Sequence, residues 1–366
     1  MKNVIVQVVQ HLQPGGIETM ALDLMQEYSK HSQVHIVCLE GNKEEAIKTW
    51  PRLEQWQAQL HFLNKSSGLD FLLLIKLAKL LWNLKANIVH THHIGPLLYG
   101  GIAARIVGVK HLIHTEHDAW HLSETTRRKL QGQLLFLVRP IIVADCDAVA
   151  SALLEAYPNS RPNVILNGID TQRFLPVDPQ KKALLRQQLK LPEQVFLLGC
   201  AARLEAVKDH NSLLHALSLL PEYVALALAG QGSLQPQLEQ TCHQLGLQDR
   251  VFFLGALDNM EDFYPCIDVF CLPSLNEGLP LSPLEAQACD IPAIVSNVGG
   301  CSNIVDPSTG YLTPPNTPSA LYDSVLNVMK RQHKGSPRDF VLNTGDLVKT
   351  AKAYGQLMSP VRELGV

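Results

Sequence analysis

Two glutamates, Glu277 and Glu285, are the residues of this sequence whose spacing and surroundings best suit chemistry. Glu277 precedes Gly278 in a Gly/Pro-rich stretch, and a loop carboxylate beside glycine is well placed to accept hydrogen bonds from sugar hydroxyls. Glu285 ends the run Ser282-Pro283-Leu284-Glu285, a pattern that predicts a helix start with Ser282 as N-cap. Glu285 therefore also has a structural explanation, as a capping-box residue, whereas Glu277 does not.

Two cations, Arg203 and Lys208, follow the predicted strand Phe196–Ala201. Cations at the carboxyl end of a strand suit a diphosphate, because arginine binds it as a bidentate fork and lysine as a point charge. The alternative is that both are solvated surface charges, which need no functional explanation.

A double glycine, Gly15-Gly16, stands between the first predicted strand and the first predicted helix. Such a turn can bring backbone N–H groups close to a phosphate, although a tight turn alone would also explain it. The chain contains neither GxGxxG nor GxxxxGK[ST]. Neither a dinucleotide-binding nor an ATPase interpretation therefore has its motif.

Seven histidines crowd two predicted strand ends in the N-terminal half. They are His90, His92, His93, His111, His114, His117 and His121. Metal ligation is one interpretation, but the spacing matches no zinc pattern and no cysteine accompanies it, so no metal is expected. We expect these residues to provide the polar lining of a cleft, where His117 and Asp118 could touch a reacting group.

The elements that must position these residues alternate strand and helix, which predicts a doubly wound α/β fold. The alternation begins at Val4–Val9, breaks near 167–170 and then restarts. A chain of 366 residues suits two domains, here 1–170 and 171–343. Their strand ends are expected to face a shared cleft, the default place for a binding site.

Two helices are expected in the last part of the chain. The first runs from Thr317 to about His333. The second, Thr344 to Met358, lies in the terminal segment 344–366, and periodicity alone does not place it on either domain.

The net charge of −3 excludes no class of protein except a strongly basic nucleic-acid binder. Between residues 65 and 139, however, ten Lys and Arg residues face four acidic ones. The run Leu69–Leu84 is rich in leucine and contains Lys76 and Lys79. It is either a packed helix with its lysines in water or an interfacial surface that meets anionic lipid headgroups.

The eight cysteines are scattered without a CxxC pair, which is typical of buried thiols in a reducing compartment. No apolar run reaches the roughly 20 residues that a spanning helix needs. We therefore expect a cytoplasmic protein, with peripheral contact to the inner face of the cytoplasmic membrane if the interfacial interpretation is right.

Together these residues resemble the family 4 glycosyltransferases, which are retaining, nucleotide-sugar-dependent enzymes of the GT-B fold. The resemblance runs nearly end to end. It rests on GGIE (15–18), VHTHH (89–93), HTEHD (114–118), NGID (167–170), ARL (202–204) with VKD (207–209), AGQG (229–232), VFFLG (251–255), EGLPLSPLEAQAC (277–289) and GG (299–300).

The resemblance implies a role for each candidate residue and implies that no metal is needed. Arg203 and Lys208 would hold the donor diphosphate as it leaves, and Gly16 would contact phosphate. Glu285 would bind the ribose, Phe253, Leu254 and Gly255 would line the base pocket, and Glu277 with the backbone of Gly278 and Leu279 would bind the donor sugar. His117 would lie against the donor sugar and help stabilise an oxocarbenium-like transition state. It also implies that the C-terminal helix crosses back onto the first domain.

The sequence thus predicts a retaining hexosyltransferase that moves a hexose or an N-acetylhexosamine from a nucleotide sugar, UDP-linked, to a hydroxyl. The expected acceptor is a glycan or a lipid-linked intermediate of surface polysaccharide or glycolipid synthesis. Two alternatives stay open, namely a nucleotide-sugar epimerase or hydrolase of the same fold and a non-catalytic partner subunit that binds a nucleotide sugar.

Overall fold

The structure, a computed structural model, describes residues 3–330 and 335–358. The described residues form two compact α/β units, one made of 3–168 with 347–358 and the other lying within 169–346. Each unit has a single parallel sheet with helices on its faces. The predicted doubly wound fold is therefore confirmed for both units.

The first unit has a seven-stranded parallel sheet in the order β3-β2-β1-β4-β5-β6-β7. Its strands are β1 (Val4–Val9), β2 (Gln33–Cys38), β3 (Leu60–Phe62), β4 (Ile88–His92), β5 (His111–Glu116), β6 (Ile141–Ala144) and β7 (Asn163–Val164). Central β1 is buried at every position and pairs Val6 with His35 of β2 and with Val89 of β4. A run of six apolar or uncharged residues suits a strand covered on both faces.

Seven helices connect these strands. They are α1 (Gly16–Ser29), α2 (Lys43–Thr49), α3 (Phe71–Leu84), α4 (Ile94–Pro96), α5 (Ile102–Ile106), α6 (Thr125–Val138) and α7 (Asp147–Ala156), with a π-helical turn at Leu97–Gly101 between α4 and α5. Leu73, Leu77 and Leu81 of α3 join Ala103 of α5 and Leu134 of α6 in one core cluster with β1 and β4. These three helices therefore cover the same face of the sheet.

The second unit has a six-stranded parallel sheet in the order β10-β9-β8-β11-β12-β13. Its strands are β8 (Phe196–Ala201), β9 (Val224–Ala229), β10 (Val251–Gly255), β11 (Val269–Leu272), β12 (Ala293–Ser296) and β13 (Gly310–Thr313). Its helices are α8 (Pro179–Gln188), α9 (His210–Leu219), α10 (Gln235–Leu245), α11 (Met260–Phe263), α12 (Ser282–Ala288), α13 (Cys301–Ile304), α14 (Pro318–Met329) and α15 (Pro337–Thr344).

The last described helix, α16 (Leu347–Met358), belongs to the first unit and packs on α1. Thr350 Oγ1 donates to the Leu166 carbonyl at 2.8 Å. The buried Tyr354 hydroxyl lies 2.9 Å from Thr115 Oγ1, which in turn lies 2.8 Å from His90 Nε2. The structure thus confirms the implied return of the C-terminal helix to the first domain.

Several elements differ from the sequence-based expectations. The helix expected from Thr317 to about His333 runs from Pro318 to Met329, and its expected end at 331–333 lies outside the described residues. We did not predict α2, α15 or the edge strand β13, nor α8, where a proline-marked stretch looked like a linker. Instead Asp178 caps α8 by accepting from the Lys181 N–H, and Pro179 opens the helix.

No helix within residues 3–330 and 335–358 combines the length and apolarity needed to cross a membrane.

We predict that Tyr354→Phe destabilises the first unit by about 1–2 kcal/mol, because the buried Thr115 hydroxyl loses a hydrogen-bond partner. All four tryptophans (50, 56, 82 and 120) lie in this unit, so urea unfolding followed by tryptophan fluorescence reports on it alone. Tyr322→Phe, on the half-buried face of α14, is the matched control and should leave the transition in place. A Tyr354→Phe midpoint equal to that of the unsubstituted protein would contradict the anchoring role.

Candidate active site

The second sheet has a topological switch point between β8 and β11. These neighbouring strands are parallel, but the chain leaves β8 toward β9 on one side, whereas β11 continues toward β12 on the other. The loops that follow them therefore diverge and leave a crevice at the carboxyl edge, where open α/β sheets bind ligands. The loop after β8 carries Arg203 and Lys208, and the loop after β11 carries Glu277.

Lys208 and Glu277 meet at this crevice. Lys208 Nζ lies 2.5 Å from Glu277 Oε1, which also accepts from Ser274 Oγ at 2.6 Å. The Leu275 N–H donates to the Val207 carbonyl at 2.8 Å and joins the two loops. The side chains of Lys208 and Glu277 are 17% and 9% exposed, so this ion pair is sheltered yet reachable from solvent. The structure thus brings together two residues that are 69 positions apart in the sequence.

The turn Gly299-Gly300 holds the backbone that carries Glu277. Gly299 has φ +53°, and a Cβ there would lie 1.9 Å from the Glu277 carbonyl oxygen. The Gly300 N–H donates to the Gly278 carbonyl at 2.7 Å. Only glycine permits this approach, so the Gly299-Gly300 pair has a structural role beside the candidate site.

Arg203 is exposed, and within the described residues its guanidinium makes no hydrogen bond or ion pair. The backbone around it is constrained, because the Leu204 N–H donates to the Gln231 carbonyl at 3.0 Å. A Cβ on Gly230, which has φ +144°, would lie 2.0 Å from the Ala202 carbonyl oxygen. A fixed backbone therefore presents a free cation two residues after β8.

The structure corrects the predicted start of α12. Helix α12 begins at Ser282 itself, the cap position is held by Leu281, and no side chain caps it. Glu285 is buried, and its Oε2 accepts a hydrogen bond from the hydroxyl of buried Tyr264. Burial, and then the charge of Glu285, raises the pKa of Tyr264 well above its ordinary value. The expected N-cap at Ser282 and the capping-box explanation of Glu285 were therefore wrong.

The segment predicted to line a base pocket lies at the end of β10. Phe253, Leu254 and Gly255 are half-buried, and the pairing with β9 is irregular between Phe253 and Gly255. Gly255 has φ +69°, and its carbonyl accepts from the Gly230 N–H at 2.7 Å. This segment and the Arg203 loop thus share the Gly230 turn, although no contact in the structure tests its predicted role.

The first sheet has its own switch point, between β1 and β4. Gly16 is the first residue of α1, just after β1, and a Cβ on it would meet nothing within 4 Å. Gly15 is different, because a Cβ there would lie 2.4 Å from Oε2 of the buried Glu18. The helix start at Gly16 is therefore open, and it stays a predicted phosphate contact.

The histidines correct another expectation. His90, His92, His114, His117 and His121 are all at most 5% exposed, so they form a buried network within the first unit rather than the lining of a cleft. Glu116 is at its centre, with Oε1 2.7 Å from His114 Nε2 and Oε2 3.5 Å from His93 Nδ1. No group of metal-ligating side chains occurs within residues 3–330 and 335–358.

Charge in this network is divided between a carboxylate and a cation. Burial would raise the pKa of Glu116, but the fields and hydrogen bonds of His114 and His93 outweigh it and hold that pKa well below its ordinary range. Burial would likewise lower the pKa of His93, but hydrogen bonding to Glu116 and the charges of Glu116 and Asp118 raise it to about 9. His93 also has φ +70°, which is unusual outside glycine.

His117 lies inside the same network. Its Nε2 is 3.0 Å from His92 Nδ1, and its Nδ1 is 3.5 Å from Asp145 Oδ2. We predicted His117 but did not predict Asp145 as its partner or Glu116 as the centre of the network, nor Ser274 and Tyr264 in the second unit. Only Glu116, inside the quoted HTEHD motif, carried a signal that could have been used, because the other three lie in segments without a motif.

Comparison with known proteins finds a glycosyltransferase family model for each of the two units. Residues 181–344 match the family model described as glycosyl transferases group 1, and residues 14–173 match the model described as glycosyltransferase family 4.

Relatives and solved structures match over most of the chain. A UDP-Gal:alpha-D-GlcNAc-diphosphoundecaprenol alpha-1,3-galactosyltransferase of Escherichia coli is 31% identical over 306 residues, 76% of this chain and 77% of its own length. The putative glycosyltransferase EpsF of Bacillus subtilis is 27% identical, over 93% of this chain and 91% of its own.

Among solved structures, Anabaena HepE in complex with UDP-glucose superimposes with a TM-score of 0.84 at 22% identity, covering 96% of this chain and 98% of its own. The fold, the two family models and the E. coli relative agree, and the chain belongs to the family 4 glycosyltransferases of the GT-B fold.

Proposed function

We propose that this protein is a retaining glycosyltransferase that moves a hexose or an N-acetylhexosamine from a UDP-linked donor to a hydroxyl of a glycan or lipid-linked acceptor in surface polysaccharide or glycolipid synthesis. One observation carries the proposal. Lys208 is ion-paired with Glu277 at the switch point of the second sheet, and the exposed cation of Arg203 lies in the same loop as Lys208.

Arg203 and Lys208 are the proposed diphosphate ligands. Glu277 balances the charge of Lys208, and a bound diphosphate would supply further negative charge to the ammonium group. Fixed cations in a sheltered site stabilise the charge that develops on a leaving group without reorganising. We therefore propose that these two residues do the electrostatic work for which other enzymes use a divalent ion.

The remaining proposed donor contacts include the two glutamates. We propose that Glu277 and the backbone of Gly278 and Leu279 bind the sugar hydroxyls, and that Glu285, oriented by the Tyr264 hydroxyl, binds the ribose. Phe253 to Gly255 would face the base. Gly16 and His117, in the first unit, stay predicted contacts of the phosphate and of the donor sugar. Because both His117 nitrogens lie near other side chains, any role of its ring depends on this network.

In the proposed reaction the bond between the anomeric carbon and the diphosphate oxygen breaks, and its electron pair leaves with the diphosphate. The acceptor oxygen forms its bond on the same face of the sugar. The departing phosphate oxygen takes the acceptor proton, and Glu277, whose Oε1 accepts from Lys208 and Ser274, binds the sugar and does not attack it. No side chain becomes covalently attached to the sugar.

The comparisons support the donor and acceptor classes. The E. coli relative is named for UDP-Gal and a lipid diphosphate acceptor, and HepE was solved with UDP-glucose. All eight cysteines are buried as thiols, which favours a reducing compartment, so we also propose that the protein works in the cytoplasm.

We predict that Lys208→Ala lowers UDP release about 100-fold, as expected when one fixed donor to a developing anion is lost. UDP release is measured with UDP-Gal, UDP-Glc, UDP-GlcNAc and UDP-GalNAc in the presence and absence of a GlcNAc-diphospholipid acceptor. Lys190→Ala, an exposed lysine of the same unit, is the control and should not change the rate.

Equal rates for Lys208→Ala and the unsubstituted protein would reject the site. Release that needs no acceptor would favour the hydrolase or epimerase alternative, and donor binding without turnover on any acceptor would favour a partner subunit.

The proposed roles of the two glutamates can be distinguished by measuring the affinities for UDP and for the UDP-sugar. Glu285→Gln should weaken both ligands by a similar factor of about ten, because a ribose contact is common to them, whereas Glu277→Gln should weaken only the UDP-sugar. Titration calorimetry measures both. Glu205→Gln, whose carboxylate binds Ser233 in the neighbouring loop, is the control, and identical ligand patterns for Glu277→Gln and Glu285→Gln would contradict the assignment.

The anomeric configuration of the product tests the stereochemical part of the proposal. With an α-linked UDP-sugar, NMR of the freshly formed product should show the α anomer, because attack and departure occur on one face. A β-linked product would show that the enzyme inverts.

A further inference from the structure

The turn 230–232, after β9, has a single side chain, that of Gln231, between two glycines. A Cβ on Gly230, which has φ +144°, would lie 2.0 Å from the Ala202 carbonyl oxygen, and a Cβ on Gly232 would lie 2.3 Å from the Leu204 carbonyl oxygen. The Gln231 carbonyl accepts from the Leu204 N–H at 3.0 Å. The loop after β8 therefore fixes the backbone on both sides of Gln231.

The side chain of Gln231 lies beside the end of β10. It is exposed, and its Nε2 lies 3.7 Å from the position that a Cβ on Gly255 would occupy. No atom of another described residue outside 254–256 lies within 4 Å of that position. Gly255 has φ +69°, which disfavours a side chain there, and its carbonyl accepts from the Gly230 N–H at 2.7 Å. The amide therefore borders a stretch of open backbone against which a planar ring can lie.

The Gln231 amide is not used inside the protein. In the described part of the chain it makes no hydrogen bond, whereas Ser233, the next polar side chain of this loop, donates to Glu205 Oε2 at 3.0 Å. A side-chain amide has two N–H donors and one acceptor oxygen in a fixed geometry. Gln231 therefore offers a donor and an acceptor to a ligand that lies against Gly255.

The proposed diphosphate ligand Arg203 lies in the loop that fixes this turn. It directly precedes Leu204, whose N–H donates to the Gln231 carbonyl. A nucleoside diphosphate carries its base and its diphosphate at opposite ends of the ribose. One such molecule can therefore contact Arg203 with its phosphates and the Gln231 amide with its base.

Uracil has an edge that matches an amide. Its N3–H donates, and the carbonyl oxygens on either side accept, so Oε1 and Nε2 of one glutamine can bind N3–H and a carbonyl together. Bidentate pairs of this kind distinguish one base from another. We propose that Gln231 hydrogen-bonds the N3–H edge of the uracil of the donor and helps to set the specificity for that base. This inference rests on the proposed function, which makes the donor UDP-linked.

The test is a binding cycle between one side chain and one ligand atom. UDP and N3-methyl-UDP, in which a methyl group replaces the N3 proton, are titrated by calorimetry into the full-length protein and into Gln231→Leu. The unsubstituted protein should bind UDP about tenfold more tightly than N3-methyl-UDP, because the methyl group removes the donor. Gln231→Leu should bind UDP about tenfold more weakly than the unsubstituted protein does, and should bind both ligands with nearly equal affinity.

A matched control and a second variant sharpen the test. Gln244→Leu, which replaces an exposed glutamine of α10 in the same unit, should keep the preference for UDP. Gln231→Glu should lower the ratio of the affinity for UDP to the affinity for CDP. A carboxylate cannot donate to a uracil carbonyl but can accept from the cytosine amino group. Circular dichroism checks that each variant is folded.

Two results would overturn the inference. A preference for UDP over N3-methyl-UDP that is unchanged in Gln231→Leu would show that another group binds N3–H. Equal affinities of the unsubstituted protein for the two ligands would show that no group binds it. Either result can occur while UDP release still depends on Lys208, which leaves the transferase proposal intact. Absence of any UDP binding, by contrast, would reject the UDP-linked donor together with this inference.

Discussion

The structure depends on the divergence of the chain at the switch point between β8 and β11. Parallel strands end at one edge, and where successive connections leave in opposite directions no helix can cover the gap. The loops there meet through the Lys208–Glu277 ion pair and the hydrogen bond from the Leu275 N–H to the Val207 carbonyl. A sheltered cation and a loop carboxylate are thus adjacent because of sheet topology, and the glycines at 230 and 299 let neighbouring backbones support them.

The first sheet has the same topology but a different chemistry at its switch point. Its polar groups turn inward, where Glu116 and several histidines contact one another in a buried network, although Glu116 Oε2, His90 Nδ1 and His117 Nδ1 have no hydrogen-bond partner there. Such a network is rigid when its members are paired and costly when one is removed. The histidines therefore shape the end of the sheet more than they line a surface, and α16 is attached to them through Tyr354 and Thr115.

The outer layer of the same unit has no comparable explanation inside the fold. The leucines at 73, 77 and 81 account for the attachment of α3 to the sheet, and nothing in the first unit requires Phe71, Ile75 or Trp82 to be apolar. Side chains that neither stabilise the core nor contact a described neighbour suit an interaction with something outside the chain.

The sequence by itself determined the class of fold, the alternation of elements and the motif residues of the proposed donor site, because apolar periodicity and short motifs are local properties. It did not show that Ser282 fails to cap α12. It also did not show that Tyr264 binds Glu285 or that Lys208 binds Glu277, since these pairs are 21 and 69 positions apart in the sequence. Nor did it show that most of the histidines are buried, because burial depends on which strands become neighbours. Tertiary structure alone decided those points, through the order of the strands and the packing that follows from it.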